Sequence, residues 1–362
     1  MRKGFNFRDL DWLLLLISLA IAGVGIIEIY STTMHTALAD QYKKQIEWVF
    51  LGVFLALIVS QIDYHLILDQ VVGLYGLTLL GLIGLLVFGH PVAGTRRWLA
   101  LGGLTFQVSE MAKLVIIMSV AAYLASRKSR SVTWQDLGAL GLLAGIPAVL
   151  VALEPDLGTA LTLFPAIASG IFLAGIRLRQ LIILGLAVIL MLPVGWRMLH
   201  PYQRERLMTF IHPTQDIRGS SYQVTQSKIA IGSGGLWGKG IGHGTQSRLG
   251  FIPVSHADFI FAAFAEEQGF VGTLFVLALY FILLIRLLDG AQTAGDRAGV
   301  FFIVGLAAVL FFQVAVNVGM MIGFLPITGI PLPLMSQGGS SVLFTFAGLG
   351  LAMSIRVRRL VN

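Results

Sequence analysis

Cysteine is absent from all 362 residues, which excludes disulfide frameworks and thiolate chemistry. Charge is scarce as well: 12% of residues are charged, where soluble domains carry roughly 25%. A chain that is 56% hydrophobic, with a mean hydropathy of +0.85, has too few polar side chains to cover a water-soluble surface. Lipid is therefore the expected solvent for most of it. Metal-ligand spacing is missing too, since the seven histidines fall in no pattern that would hold an ion. Nor is a cleavable signal expected, because the first apolar run extends from Trp12 to Ile29 with no small-residue cleavage site after it.

What the sequence has is apolar length. A bilayer core of about 30 Å needs roughly 20 apolar residues per helix. Ten such tracts are expected, at roughly 11–31, 45–62, 66–88, 106–126, 136–153, 157–175, 179–197, 257–286, 299–322 and 335–356. The basic residues follow membrane topology. With the N-terminus cytoplasmic, 13 Lys and Arg fall on cytoplasmic segments, and only Lys43, Lys44, Arg96 and Arg97 on short external loops. That bias supports an even number of helices and both termini inside. It also argues against nucleic acid as the partner behind the net charge of +7, since no single basic patch forms. The fold class is an all-α polytopic membrane protein, and residues 1–362 read as one transmembrane domain.

One loop stands apart. Residues 198–256, between the seventh and eighth tracts, are polar, basic and glycine-rich and lie outside. A loop of this length without a fold of its own is usually functional. Seven glycines fall between 232 and 244. The stretch fails the Walker pattern, with Ser233 and Gly240 in the wrong places, and the dinucleotide fingerprint, with Trp237 where a glycine belongs. Two readings remain: a flexible external loop, or backbone donors that, with Lys228, Lys239 and Arg248, offer themselves to an anion.

Charge at membrane depth costs at least about 2.5–3.5 kcal/mol per residue, so retained charges need a partner, a wet cavity or a task. Glu110 and Lys113 share a helix face, either as a self-neutralising pair or as the lining of a polar cavity. Glu154 and Asp156 flank an external turn, where solvation suffices. Glu28 and Glu47 lie near helix ends and are expected at the membrane interface. Asp258 begins a helix at the outer mouth, and reads either as an N-cap or as a catalytic carboxylate. Glu266 is eight residues deeper, about 12 Å along the axis, so this helix does not supply the paired carboxylates of a glycosidase. Glu266 and Glu267 are expected to serve packing or a cavity.

Nearly the whole chain carries motifs that together resemble a known family. The resemblance is carried by Arg97-Trp98-Leu99, Ser109-Glu110-Met111-Ala112-Lys113, Glu154-Pro155-Asp156-Leu157-Gly158, Tyr202-Gln203-Arg204-Glu205-Arg206 and Gln226-Ser227-Lys228, in that order. Gly244-Thr245-Gln246-Ser247, Phe251-Ile252-Pro253, His256-Ala257-Asp258-Phe259 and Pro331-Leu332-Pro333-Leu334 follow. In this order they resemble the SEDS family (shape, elongation, division and sporulation), and residues 244–247 look like its elongation branch. Ala257, where threonine is usual, and Gln337, where an aromatic is usual, depart from the pattern.

The resemblance implies a glycosyltransferase that polymerises lipid II at the outer face of the bacterial cytoplasmic membrane during cell elongation, releasing undecaprenyl diphosphate. It implies membrane lipid, the elongation machinery and a class B penicillin-binding protein, a transpeptidase, as partners. The family's essential aspartate maps onto Asp258, expected to act as general base. The diphosphate is expected to meet cations from among Arg97, Arg204, Arg206, Lys228, Lys239 and Arg248, with Glu110 and Lys113 shaping a cavity beneath. No cofactor is evident; a divalent cation could bridge Asp258 and the diphosphate, but no ligand spacing marks one. A lipid II flippase or other lipid transporter, and a non-enzymatic scaffold, are the competing readings.

Overall fold

The computed structural model describes residues 10–34, 36–89, 98–101, 104–127, 131–211, 220–252 and 254–358. Among these, nine helices are long and apolar enough to cross a membrane. They are α1 (Trp12–Thr33), α2 (Gln41–Gln61), α4 (Val71–Phe88), α5 (Val108–Ala125), α6 (Trp134–Leu153), α9 (Leu178–Met198), α13 (Ile260–Gln292), α14 (Arg297–Met321) and α15 (Gly339–Arg358). The tenth expected tract is present in two pieces, α7 (Leu157–Leu161) and α8 (Phe164–Leu173). Pro165 explains the break: it cannot donate to the preceding turn, and it sits at the start of α8 where no donor is needed. The tract expected over 66–88 also divides, into α3 (Tyr64–Asp69) and α4, at Gln70. Ahead of α5, β1 (Leu99–Leu101) pairs antiparallel with β2 (Leu104–Phe106) in a short ribbon.

The core is built from α1, α5, α13, α14 and α15, with α2 closely packed on α15. Lipid tails are as apolar as leucine, so helices in a bilayer associate through close packing at small residues instead of escape from water. Gly350 of α15 shows this: a Cβ there would sit 2.6 Å from the carbonyl oxygen of Ala56 on α2. By contrast α9 is exposed along nearly its whole length.

We call the end carrying Asp258 outer and the opposite end inner. Three helices that start at the inner end, α1, α6 and α14, carry an acid in their N-terminal cap, and arginines from neighbouring helix ends meet two of those acids. Asp11 caps α1 by accepting from Leu14 N and is bound by Arg286 Nε at 3.0 Å and by Arg356. Asp136 completes a capping box with Thr133 and also pairs with Arg127 and Tyr123. Asp296 caps α14 through Gly299 N at 2.8 Å. His65 joins Asp63 to Asp296, with Nδ1 2.9 Å from the first and Nε2 3.0 Å from the second. Burial opposes the charged imidazole, but these two carboxylates outweigh it and hold the His65 pKa above its ordinary value. These contacts join helices at the inner end that are far apart in sequence.

The long outer segment differs from the unstructured loop expected at 198–256. It contains α10 (Pro201–Ile211), α11 (Ser220–Gly234) and α12 (Thr245–Arg248), and α11 lies against α13.

Candidate active site at the outer mouth

Residues 254–259 form turns that deliver Asp258 to the top of α13. The N-cap place belongs to Phe259, which makes no side-chain cap bond, so the capping role considered for Asp258 falls one residue out of register. Asp258 is half-buried. Its neighbour His256 is held below the ordinary histidine pKa by burial, so at neutral pH it adds no cation beside the carboxylate.

The outer ends of distant motifs converge on the segment 328–330. A Cβ on Gly329 would lie 3.4 Å from Asp258 Oδ2 and 3.8 Å from an Arg206 guanidinium nitrogen, so acid and cation face the same space. One residue earlier, Thr328 O lies against Gly158, at 2.3 Å from where a Cβ would stand. Tyr202 OH donates to Pro155 O at 2.8 Å and tethers the start of α10 to the same turn. Glu154 and Asp156, expected to be solvated, are 1% and 6% exposed. Asp156 caps α7 through Thr159 N and accepts from Gln107 Nε2 at 3.2 Å. Glu28 likewise lies buried in α1 instead of at an interface.

The six expected cations separate. Arg206 and Lys228 line one cavity of about 450 Å³, open to the outside, between α10, α11 and residues 323–327. Arg206 lies over the Tyr202 ring at 5.9 Å, and the Lys228 side chain runs across Gly323, whose missing Cβ makes room for it. Arg204 turns back to donate to Arg197 O at 2.8 Å. Arg248 is exposed at the end of α12, and Arg97 lies outside the described residues.

Lys239 is engaged elsewhere. Its ammonium is 2.6 Å from Glu266 Oε1, and this carboxylate also accepts from Thr245 N at 2.8 Å, Gln246 N at 3.1 Å and Ser247 N at 3.4 Å. The anion for which the glycine-rich segment offers its donors is therefore a side chain of this same protein. The reason lies in α13, which breaks at Gly269 (φ 65°, ψ −163°). This is nine residues below the start of α13, about 13 Å at 1.5 Å per residue. Carbonyls and amides freed at such a depth must be satisfied inside the protein. Lys239 N and Gly240 N donate to Glu266 O and Glu267 O, while Phe270 N and Val271 N donate to Gly235 O and Leu236 O. Glycine is required for the threading: a Cβ on Gly238 would lie 2.1 Å from Glu267 O. Glu267 accepts from Ser31 of α1 at 2.6 Å, and Gly242 N donates to the same hydroxyl at 2.8 Å.

Glu110 and Lys113 pair at 2.7 Å, both buried. They line a mostly apolar cavity of about 320 Å³ between α5, α14 and α15, with Gln313 and Thr345 as its other polar groups. Among the described residues no group of acids and histidines is arranged to hold a metal ion.

The pattern of the FtsW/RodA/SpoVE family, described as cell cycle protein, matches residues 11–360. Peptidoglycan glycosyltransferase MrdB of Escherichia coli (strain K12) is 39% identical over 97% of this chain and 94% of its own length. Peptidoglycan glycosyltransferase RodA of Treponema pallidum is 32% identical over 97% and 98%. Among solved structures, a chain from a peptidoglycan synthase complex, studied for the coordination of polymerization and crosslinking, superposes with a TM-score of 0.83. It is 32% identical and is covered over 99% of its length by 98% of this chain. The rod shape determining protein RodA of Thermus thermophilus gives 0.72 at 31% identity, with 97% of each chain covered. With a polytopic helical bundle, motifs gathered at one outer mouth and the family pattern matched over residues 11–360, the chain belongs to the FtsW/RodA/SpoVE family.

Proposed function

We propose that this chain is a peptidoglycan glycosyltransferase of the cytoplasmic membrane, polymerising lipid II at its outer mouth with Asp258 as general base. The observation that carries the reading is Asp258 and Arg206 facing one space above Gly329, with Lys228 in the cavity alongside. In the reaction, Asp258 takes the proton of an acceptor sugar hydroxyl while its oxygen forms the new bond to the anomeric carbon of the donor. The bond from that carbon to the diphosphate oxygen breaks, and undecaprenyl diphosphate leaves with the electron pair. General-base assistance contributes about 10²–10⁴-fold. Arg206 and Lys228 stabilise the charge growing on the diphosphate, so no acid need protonate it.

An amphiphilic substrate needs a polar mouth and an apolar seat. The cavity beneath Glu110 and Lys113 offers the seat, since most of its lining is aliphatic or aromatic. A crosslinking enzyme, a class B penicillin-binding protein, is the proposed partner, by analogy with the related synthase complex.

The test is polymerisation of labelled lipid II by the purified protein with its crosslinking partner, beside Asp258→Asn. Glycan ladders from the wild type and none from a folded, partner-bound Asp258→Asn are expected. Equal ladders from both would remove Asp258 from the chemistry, and no ladder from either would return the transporter and scaffold readings.

A further inference from the structure

Three successive backbone carbonyls lead up to the Asp258 carboxylate, and each is held by a different donor. His256 O accepts from Gln337 N at 3.1 Å. Ala257 O accepts from Ser336 Oγ at 2.8 Å. Asp258 O accepts from Asn317 Nδ2 at 3.0 Å, and the same amide nitrogen donates to Ile330 O at 2.8 Å. The Ser336 hydroxyl accepts in turn from Leu332 N at 2.8 Å, and Ser336 O accepts from Gln45 Nε2 of α2 at 3.1 Å. Asn317 is fully buried and Ser336 is 3% exposed.

An asparagine inside an apolar helix such as α14 is expensive unless its amide is used. Here both amide hydrogens have carbonyl acceptors on two separate segments. An oxygen in that place would oppose two carbonyl oxygens, so the chemistry fixes which way the amide points. Aspartate would fail there for the same reason, and leucine would leave both carbonyls without this donor. The two carbonyls belong to the residues on either side of the mouth: Asp258 itself, and Ile330 next to Gly329.

We infer that Asn317, assisted by Ser336, is a positioning residue for the general base. It clamps the main chain of residues 256–258 to segment 330–338, so that the Asp258 carboxylate and the Arg206 guanidinium keep a common focus over Gly329. Neither Asn317 nor Ser336 touches substrate; both act through Asp258, so the inference rests on the reading of Asp258 as base. Ala257 and Gln337, the two departures from the family pattern, lie on this same seam. The seam is made from main-chain groups at both positions, which is why the departures leave it intact.

A displacement of about 1 Å can lower a rate about 10²-fold. The experiment measures initial rates of labelled lipid II polymerisation by the full chain with its crosslinking partner, for wild type, Asp258→Asn, Asn317→Leu, Ser336→Ala and the double variant Asn317→Leu/Ser336→Ala. Thermal unfolding is recorded on the same preparations. The expected result is a kcat lowered about 10- to 100-fold in Asn317→Leu, and less in Ser336→Ala, with KM unchanged within about twofold. The double variant should lose less than the product of the two single losses, because both loosen one segment. A merely structural role would lower the unfolding temperature and leave kcat per folded molecule at the wild-type value, and that result overturns the inference. If Asn317→Leu does not fold, Ser336→Ala decides alone, and a wild-type kcat there overturns it. Wild-type turnover in Asp258→Asn sinks the base reading itself, whereas an inactive Asp258→Asn beside a fully active Asn317→Leu sinks only the positioning role.

Discussion

Lys239 Nζ lies 2.6 Å from Oε1 of Glu266, and the Glu266 side chain is wholly buried. This pair joins the outer segment to a broken membrane helix, and removing one partner leaves the other charge without its counterpart. Lys239→Met is expected to destabilise the protein by up to about 3–5 kcal/mol. Thermal unfolding in detergent measures this as a clear drop in midpoint, with turnover per folded molecule preserved. A Lys239→Met protein as stable as wild type but inactive would instead place this lysine at the substrate.

Arg206 and Lys228 should behave in the opposite way. Arg206→Ala and Lys228→Ala are each expected to lower turnover, by up to about 10²–10³-fold, if fixed positive charge stabilises the leaving diphosphate. Their unfolding midpoints should stay near wild type. Lipid II polymerisation kinetics decide the matter, and unchanged turnover in both removes them from the mechanism.

The threading of the glycine-rich segment can be tested at single positions. Gly238 has φ +78° and no room for a Cβ, whereas Gly232 has nothing within 4 Å. Gly238→Ala should lose more than the about 1–3 kcal/mol of left-handed strain alone, since the added carbon also meets a backbone carbonyl. Gly232→Ala lies within α11 and should be neutral, or gain about 0.5–1 kcal/mol from helix propensity. Unfolding midpoints of the two variants, compared with wild type, read out the difference.

Histidine at the inner end makes a prediction about pH. Because the His65 pKa is raised in the folded protein, its bridge contributes fully below the unfolded value, near about 6.5, and is lost as pH rises through the higher folded value. Unfolding midpoints across that interval should therefore fall more steeply for wild type than for His65→Asn. Parallel curves for the two proteins would show that the bridge carries no pH-dependent stability.

How much of this was legible beforehand depends on range along the chain. Apolar length is a local property, and it located the nine membrane-length helices found among the described residues and the shorter apolar stretch shared by α7 and α8. Pairings between remote residues were not legible. Lys239 and Glu266 are 27 positions apart, and Asn317 and Asp258 are 59 apart. The sequence shows Lys239 as a free cation in a loop, because nothing nearby reveals the carboxylate that holds it. Gly269 reads as an ordinary glycine in an apolar helix, since the break there depends on amides supplied by residues 239 and 240. A signal for Asn317 did exist: with Gln313 it is one of two amides in an otherwise apolar tract, and polar side chains at membrane depth are functional candidates by default.

The break in α13 also sets a rule for anyone building hybrids within this family. Residues 234–247 and 260–271 are one part in two strands of sequence, with main-chain bonds and two buried carboxylates running between them. A chimera that swaps the outer segment alone divides that part, leaving a foreign glycine path against the native acids. Transplanting both stretches together keeps donors with acceptors, so the interchangeable cassette here is discontinuous in the gene.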